Sequence, residues 1–96
     1  MTEAEINLAL AKIEYPDESV SHLNDLDYCN DWADIGPIIE REKIDLTAIE
    51  DGWEANGYFY VISALAKTPT KAAALCYLKM KGLSNEKMGN CREVAV

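Results

Sequence analysis

The sequence predicts a small single α+β domain, with about three helices packed on a short antiparallel sheet of two or three strands. Three segments place apolar residues at helical spacing behind residues that can cap a helix. A fourth segment is rich in β-branched and aromatic residues and carries two turn dipeptides, which is typical of hairpins. With 96 residues, 49% of them hydrophobic, the chain is long enough for one core and too short for two.

The first helix is predicted over residues 3–14. Thr2 can cap it, and Glu5, three residues later, completes a capping box. The apolar stripe that follows at helical spacing consists of Ile6, Ala9, Leu10 and Ile13. Pro16 ends the helix because it lacks an amide donor and disfavours the helical conformation of the residue before it. The alternation in residues 19–23 then favours a short strand.

The second helix is predicted within residues 27–43, DYCNDWADIGPIIEREK, where an acidic and aromatic start leads into a helical pattern. Asn30 or Asp31 can cap this helix, and negative charge there favours the positive end of the helix dipole. Pro37 is best tolerated in a first helical turn. We therefore expect the regular helix to begin near residues 34–36.

The strands are predicted in residues 44–62, which carry the turn dipeptides Asp51-Gly52 and Asn56-Gly57. Both dipeptides suit the positive φ angles of tight hairpin turns. If both turns form, a strand of about three residues lies between two longer ones. If only one forms, a single hairpin remains, and both arrangements stay open.

The third helix is predicted in residues 67–82, KTPTKAAALCYLKMKG. Thr68 can cap it, Pro69 suits the first helical position, and Gly82 is a natural end. One face collects the expected core residues Ala72, Ala73, Cys76, Tyr77 and Met80. Two leucines lie outside this face, Leu75 and Leu78. Either the helix is buried on most sides, or these leucines face a partner.

We expect one domain over residues 1–83 and a poorly ordered tail over residues 84–96. No apolar run approaches the roughly 18–20 residues that span a bilayer, and the N-terminus is acidic where a secretory signal would be basic. Three scattered cysteines fit reduced thiols better than a disulfide framework. These features predict a cytoplasmic location in a bacterial host and no membrane partner.

The net charge of −8 is distributed unevenly along the chain. Residues 1–56 hold 15 acidic and 3 basic side chains, whereas residues 57–96 hold 2 acidic and 6 basic ones. Phosphate backbones repel an acidic face of this kind, so direct nucleic-acid binding is not expected. A basic partner protein would be attracted, mainly through faster association. The simpler interpretation is that the charge only keeps a small protein soluble.

No metal and no cofactor are expected. Cys29 interrupts the alternating oxygen ligands that a calcium loop would need around Asp25, Asp27 and Asp31, and no glycine lies at the turn. Zinc would need clustered ligands, but His22 is the single histidine and the cysteines are far apart. Cys29 lies seven residues after His22, yet no feature indicates an activated thiol. We therefore do not expect an enzyme.

The start of the second helix is the candidate binding surface. It consists of Asp27, Tyr28, Asp31, Trp32 and Asp34. A tryptophan in so small a domain usually belongs to the core, whereas one that is half-exposed among aspartates would be a binding hot spot. The aromatic run after the last turn dipeptide raises the same question. Strand alternation would place Tyr58 and Tyr60 on one face and Phe59 on the other.

Two motifs resemble a known family. The run DYCNDW at residues 27–32, followed by GPIIE at residues 36–40, is similar to small proteins of enterobacterial phages and prophages, the NinX-like group. The run TPTKAAALCYL at residues 68–78 resembles the closing helix of that group. The similarity spans about residues 27–82, outside the first helix and the tail. It implies a phage-derived accessory protein expressed inside the bacterial host, and it carries no catalytic or ligand residues across.

The leading hypothesis is a non-enzymatic accessory protein of phage or prophage origin that binds a host or phage protein. In one version it presents carboxylates where a basic, nucleic-acid-binding target expects phosphates. The alternative is a self-associating module, in which the acidic first half of one copy meets the lysine-bearing last helix of the next and buries Leu75 and Leu78. A small thiol enzyme that uses Cys29 and His22 is the third hypothesis.

Overall fold

The α+β prediction is confirmed by a computed structural model, which describes residues 2–19, 23, 25–58 and 60–86. The helices are α1 (Glu3–Glu14), α2 (Trp32–Glu42) and α3 (Pro69–Glu86), and the strands are β1 (Asp45–Ile49), β2 (Gly52–Gly57) and β3 (Ile62–Ala66). The strands form an antiparallel sheet in the order β1-β2-β3. α3 lies across β2 and β3, and both α1 and α2 pack against α3.

α1 spans the predicted residues and begins with the predicted capping box. The Thr2 hydroxyl accepts from the Glu5 amide at 3.2 Å, and the Glu5 carboxylate accepts from the Thr2 amide at 2.7 Å. Its buried stripe contains Ile6, Leu10 and Ala11. The strand predicted for residues 19–23 falls largely on positions 20–22, outside the described residues.

α2 begins earlier than predicted, at Trp32 rather than near residues 34–36. The Asp31 carboxylate caps it by accepting from the Ala33 amide at 2.9 Å. Pro37 consequently lies inside the helix, where its missing amide leaves the Ala33 carbonyl without its usual helical donor. Since Ala33 and Pro37 are both exposed, water can hydrate that carbonyl. The cost is therefore low enough for the Asp31 cap to set the start of the helix.

The sheet contains two hairpins, one of the two arrangements that the sequence left open, but neither turn is centred on its predicted dipeptide. The first reverses over Glu50 and Asp51, between the paired residues Ile49 and Gly52. The dipeptide Asn56-Gly57 instead belongs to β2, which has six residues rather than the expected three. The chain reverses over residues 58–61.

Packing explains why Gly57 lies in a strand. A Cβ atom at this position would lie 2.6 Å from the Met80 sulfur of α3. The glycine therefore allows β2 to approach α3 closely instead of forming a turn. Tyr58 and Tyr60 adopt positive φ angles of 51° and 75°, so they belong to the turn and the predicted strand alternation is wrong for them. Phe59 lies outside the described residues.

The sheet has one covered face and one open face. Ala55 of β2 pairs with Ala64 of β3, and both are buried beneath the helices. On the opposite face Leu65 is 62% exposed and Ile49 is 41% exposed. The core therefore lies between the helices and one side of the sheet.

α3 supplies more of that core than any other described element. The Thr68 hydroxyl accepts from the Lys71 amide at 3.3 Å, and Pro69 occupies the first helical position, both as predicted. The five predicted core residues are all buried, and Leu75 and Leu78 are half-buried against the same core. The helix is thus covered on most sides by its own chain.

The predicted end of α3 at Gly82 is wrong, because the helix continues to Glu86. A glycine inside a helix costs only about 1 kcal/mol relative to alanine, which a helix of this length tolerates. α3 therefore crosses the expected boundary between residues 83 and 84. Residues 87–96 of the predicted tail lie outside the described residues.

Candidate functional site

The predicted binding residues do lie together at the start of α2, but several carboxylates there also organise the chain itself. The Asp27 carboxylate accepts from the side-chain amides of Asn7 at 2.9 Å and Asn30 at 3.2 Å. The Asn7 side-chain oxygen accepts in turn from the Cys29 amide at 3.0 Å. The Thr70 hydroxyl donates to the Cys29 carbonyl at 2.6 Å. The loop before α2 is therefore fastened to both α1 and α3.

The other two aspartates bind backbone amides. Asp31 is the N-cap of α2, and the Asp34 carboxylate accepts from the Asp27 amide at 2.9 Å. These bonds satisfy donors that a loop and a helix start would otherwise leave unpaired. The acidic cluster thus fixes the position of the first turn of α2.

Tyr28 is part of the core, with 3% of its surface exposed. Burial, helped by nearby Tyr15 and carboxylates, raises its pKa to about 12, so the phenol is neutral at physiological pH. In this conformation Tyr28 offers almost no contact area to a partner.

Trp32 is on the surface. Its exposed fraction is 53%, and it occupies the first helical position, directly after the Asp31 cap. The neighbouring residues Asn30, Asp31 and Ala33 are exposed as well. The structure therefore decides between the two interpretations of this tryptophan: it is a half-exposed ring on a fixed helix start, beside carboxylates. We call Trp32 with these exposed neighbours the α2 surface.

The described cysteines, Cys29 and Cys76, are both fully buried. Burial raises the pKa of each thiol to about 11, so both remain protonated at neutral pH. His22, the predicted partner of Cys29, and Cys91 lie outside the described residues. Within the described part of the chain, no group of three or more histidine, cysteine, aspartate or glutamate side chains could hold a metal ion.

One polar cluster was not predicted from the sequence. The Arg41 guanidinium forms two parallel hydrogen bonds to the Glu14 carboxylate, at 3.0 and 2.9 Å. The Tyr77 hydroxyl donates to the same carboxylate at 2.6 Å. The cluster joins α1, α2 and α3, and Arg41 lowers the pKa of Glu14. No local motif signals it, because its members are 27 to 63 positions apart.

A second unpredicted feature is a cleft of about 370 Å³ between the end of α2 and the turn after β2. Its lining residues are Arg41, Glu42, Lys43, Asp45, Asn56, Tyr58 and Tyr60. Tyr60 is 68% exposed, and its hydroxyl donates a short hydrogen bond to the Asp45 carboxylate. We call this space the tyrosine cleft. The run of aromatic residues was its only signal in the sequence.

The family model described as "Bacteriophage P22, NinX" matches residues 1–81. The chain belongs to this family. The match confirms the resemblance found in the two motifs and extends it to α1, which that resemblance left out. No curated protein and no solved structure matches the chain.

Membership makes this NinX-family chain a phage-derived accessory protein. The matched residues contain both the α2 surface and the tyrosine cleft, so each lies within the part of the chain that resembles the family. None of the described helices of the NinX-family chain is both long and apolar enough to cross a membrane.

Proposed function

We propose that this NinX-family chain is a non-enzymatic protein-binding module that acts on a host or phage protein in the bacterial cytoplasm. One observation carries the proposal: Trp32 is 53% exposed on a helix start that is fixed by its own hydrogen bonds. Tryptophan is enriched among the residues that dominate binding energy in protein interfaces. A helix start that is already fixed loses little backbone entropy when a partner covers it.

The charge distribution supports a basic partner. Residues 1–56 carry 15 acidic and 3 basic side chains, and the α2 surface lies among them. Such a surface accelerates association with a basic protein, including one that binds nucleic acid. It also disfavours direct contact with nucleic acid and with anionic membranes. A carboxylate surface that competes with nucleic acid for the same basic partner would be one form of this function.

Buried thiols support a role without catalysis. A nucleophilic cysteine must be accessible and partly ionised, whereas Cys29 and Cys76 are buried with pKa values raised to about 11. Their sulfur atoms approach backbone carbonyls, Glu3 for Cys29 and Ile62 for Cys76. Both thiols thus have the environment of small core residues.

The self-associating alternative receives less support from these contacts. Leu75 and Leu78 pack against the core of their own chain. Lys71 of α3 pairs with Glu3 at 3.8 Å, and Lys79 donates to the Ser63 carbonyl at 2.9 Å. Much of the apolar and basic surface that this hypothesis assigns to a second copy is therefore already used within one chain.

Capture from host lysate tests the proposal, with quantitative mass spectrometry as the readout. The comparison is between the wild type, Trp32→Ala and Leu65→Ala, where the last variant removes a similarly exposed apolar side chain from the open face of the sheet. We expect at least one protein that the wild type and Leu65→Ala retain and that folded Trp32→Ala loses. If the three baits retain the same proteins, the α2 surface is not the binding site.

A further inference from the structure

We propose that the tyrosine cleft receives an arginine side chain of the partner protein. This inference rests on the proposed protein-binding function. It adds a second contact with the partner and names the side chain that makes this contact. The carrying observation is the pairing of the Tyr60 hydroxyl with the Asp45 carboxylate inside a cleft that a side chain can enter.

Elsewhere in the fold, the same pairing of a tyrosine hydroxyl with a carboxylate already binds an arginine side chain. The Tyr77 hydroxyl donates to the Glu14 carboxylate, and that carboxylate receives the Arg41 guanidinium. Arg41 also lies 5.8 Å from the centre of the Tyr77 ring. In the tyrosine cleft, the Tyr60 hydroxyl likewise donates to the Asp45 carboxylate. Within the described residues Asp45 has no basic partner, so it can accept one from another molecule.

The walls of the cleft suit a guanidinium group. Tyr58 and Tyr60 are exposed by 39% and 68%, and a planar cation can stack on a phenol ring. Asp45 lines the cleft and is partly exposed, and the Tyr60 hydroxyl binds one of its two carboxylate oxygens. Arginine offers the planar shape and several donors that this combination can bind together.

Backbone conformation points to the same place. Among the described residues, three that are not glycine have positive φ angles: Lys43, Tyr58 and Tyr60. All three line the tyrosine cleft, but Lys43 is the left-handed C-cap of α2, so only Tyr58 and Tyr60 indicate strain that belongs to the cleft. Residues other than glycine, asparagine or aspartate adopt this conformation at a cost, and such strain clusters at binding sites. The cost is consistent with tyrosine rings that are held in position for a ligand.

The local charge favours a cation over an anion. Arg41 lines the cleft, but its guanidinium is already bound by Glu14 and Glu42. Together these three groups are net negative, and Asp45 adds a further negative charge. Lys43 contributes one positive charge, and in the described part of the chain its ammonium has no ion pair. Lys43 is therefore the residue on which an anion, the competing ligand class, would depend.

Titration of the ¹⁵N-labelled full chain with N-acetyl-arginine amide tests the inference by NMR. Matched probes are the neutral isostere N-acetyl-citrulline amide and inorganic phosphate. We expect saturable shifts of the Asn56, Tyr58 and Tyr60 amides with the arginine probe, at millimolar affinity as befits a single side chain. The two other probes should give no saturable shift at these amides. Saturation by either of them, or none by arginine, would overturn the inference.

Two variants test whether the tyrosine cleft binds its ligand through the negative charge of Asp45. Asp45→Asn should weaken arginine binding at least about fivefold, since it replaces the accepting carboxylate by a neutral amide. Lys43→Gln should strengthen binding or leave it unchanged, because it removes a repelling charge. A loss of arginine binding in Lys43→Gln, or none in Asp45→Asn, would contradict the proposal. Unchanged spectra far from the cleft confirm the fold of each variant.

This titration is independent of lysate capture. Arginine binding in the cleft without any captured protein would refute the proposed function and leave the cleft as a site. Capture that depends on Trp32, combined with no arginine binding, would refute only the cleft.

Discussion

Neighbouring side chains at the start of α2 perform different tasks. Asp27, Asp31 and Asp34 hold the loop and the helix by accepting hydrogen bonds, whereas Trp32 projects from them. The sequence indicated an N-cap there because aspartate before an apolar pattern is a local signal. It did not reveal the Asp27 contact, because Asn7 lies 20 positions away. A local signal such as an N-cap can be recognised from neighbouring residues in the sequence, whereas a hydrogen bond between distant residues cannot.

Asp31 can be tested through two substitutions. Asp31→Ala should lower the free energy of unfolding by about 1 kcal/mol, because the Ala33 amide loses its acceptor. Asp31→Asn should retain most of the wild-type free energy of unfolding, since asparagine is an equally good N-cap. Urea denaturation followed by circular dichroism measures both. Equal losses in the two variants would mean that charge, and not the cap, is what Asp31 contributes.

Secondary structure elements were predicted well where caps and periodicity agreed. α1 and the beginning of α3 follow their capping residues, Thr2 and Thr68. Errors occurred where one residue type can serve two purposes. Gly57 was interpreted as a turn residue and instead provides room for Met80. Pro37 was expected in a first turn and lies inside α2, because the exposed carbonyl behind it tolerates the lost bond.

Because α3 continues through Gly82, the sign of the stability change on replacing this glycine by alanine can be predicted. Gly82→Ala should raise the free energy of unfolding by roughly 0.5–1 kcal/mol, because alanine favours the helix and nothing lies within 4 Å of the added Cβ. Thermal or urea denaturation measures the change. A helix that ended at Gly82 with a left-handed residue would instead be destabilised by the same substitution.

The junction of the three helices predicts a dependence on pH. Hydrogen bonds from Arg41 lower the pKa of Glu14 below its ordinary value of 4.5. The stability that this carboxylate contributes is therefore present above that value and is lost as the pH falls through the lowered native pKa. Glu14→Gln should be less stable than the wild type at neutral pH. It should also lose less stability on acidification.

Denaturant unfolding of both proteins at pH 7 and at lower pH gives this comparison. If the variant and the wild type lose the same stability on acidification, Glu14 is not responsible for the difference. A Glu42→Gln variant serves as the control, because Glu42 binds Arg41 without joining α1 to the other helices.

For the whole molecule, the fold class could be predicted by counting the helices and strands that the sequence indicates. The position of each surface, in contrast, depends on how those helices and strands pack together. Trp32 had two plausible environments, and only the packing of α2 on α3 decided that it faces outward. The tyrosine cleft requires the end of α2 and the turn after β2 to meet, which no local pattern announces. Assembly places the α2 surface and the cleft at opposite ends of α2.

The most direct test of the protein-binding function is the dissociation constant between the purified chain and its captured partner, measured by isothermal titration at low and high salt. We predict that Trp32→Ala weakens binding by about 30-fold or more, as expected for a hot spot, and that Leu65→Ala changes it less than about twofold. Added salt should weaken binding to the wild type. Equal affinities for wild type and Trp32→Ala would contradict the account.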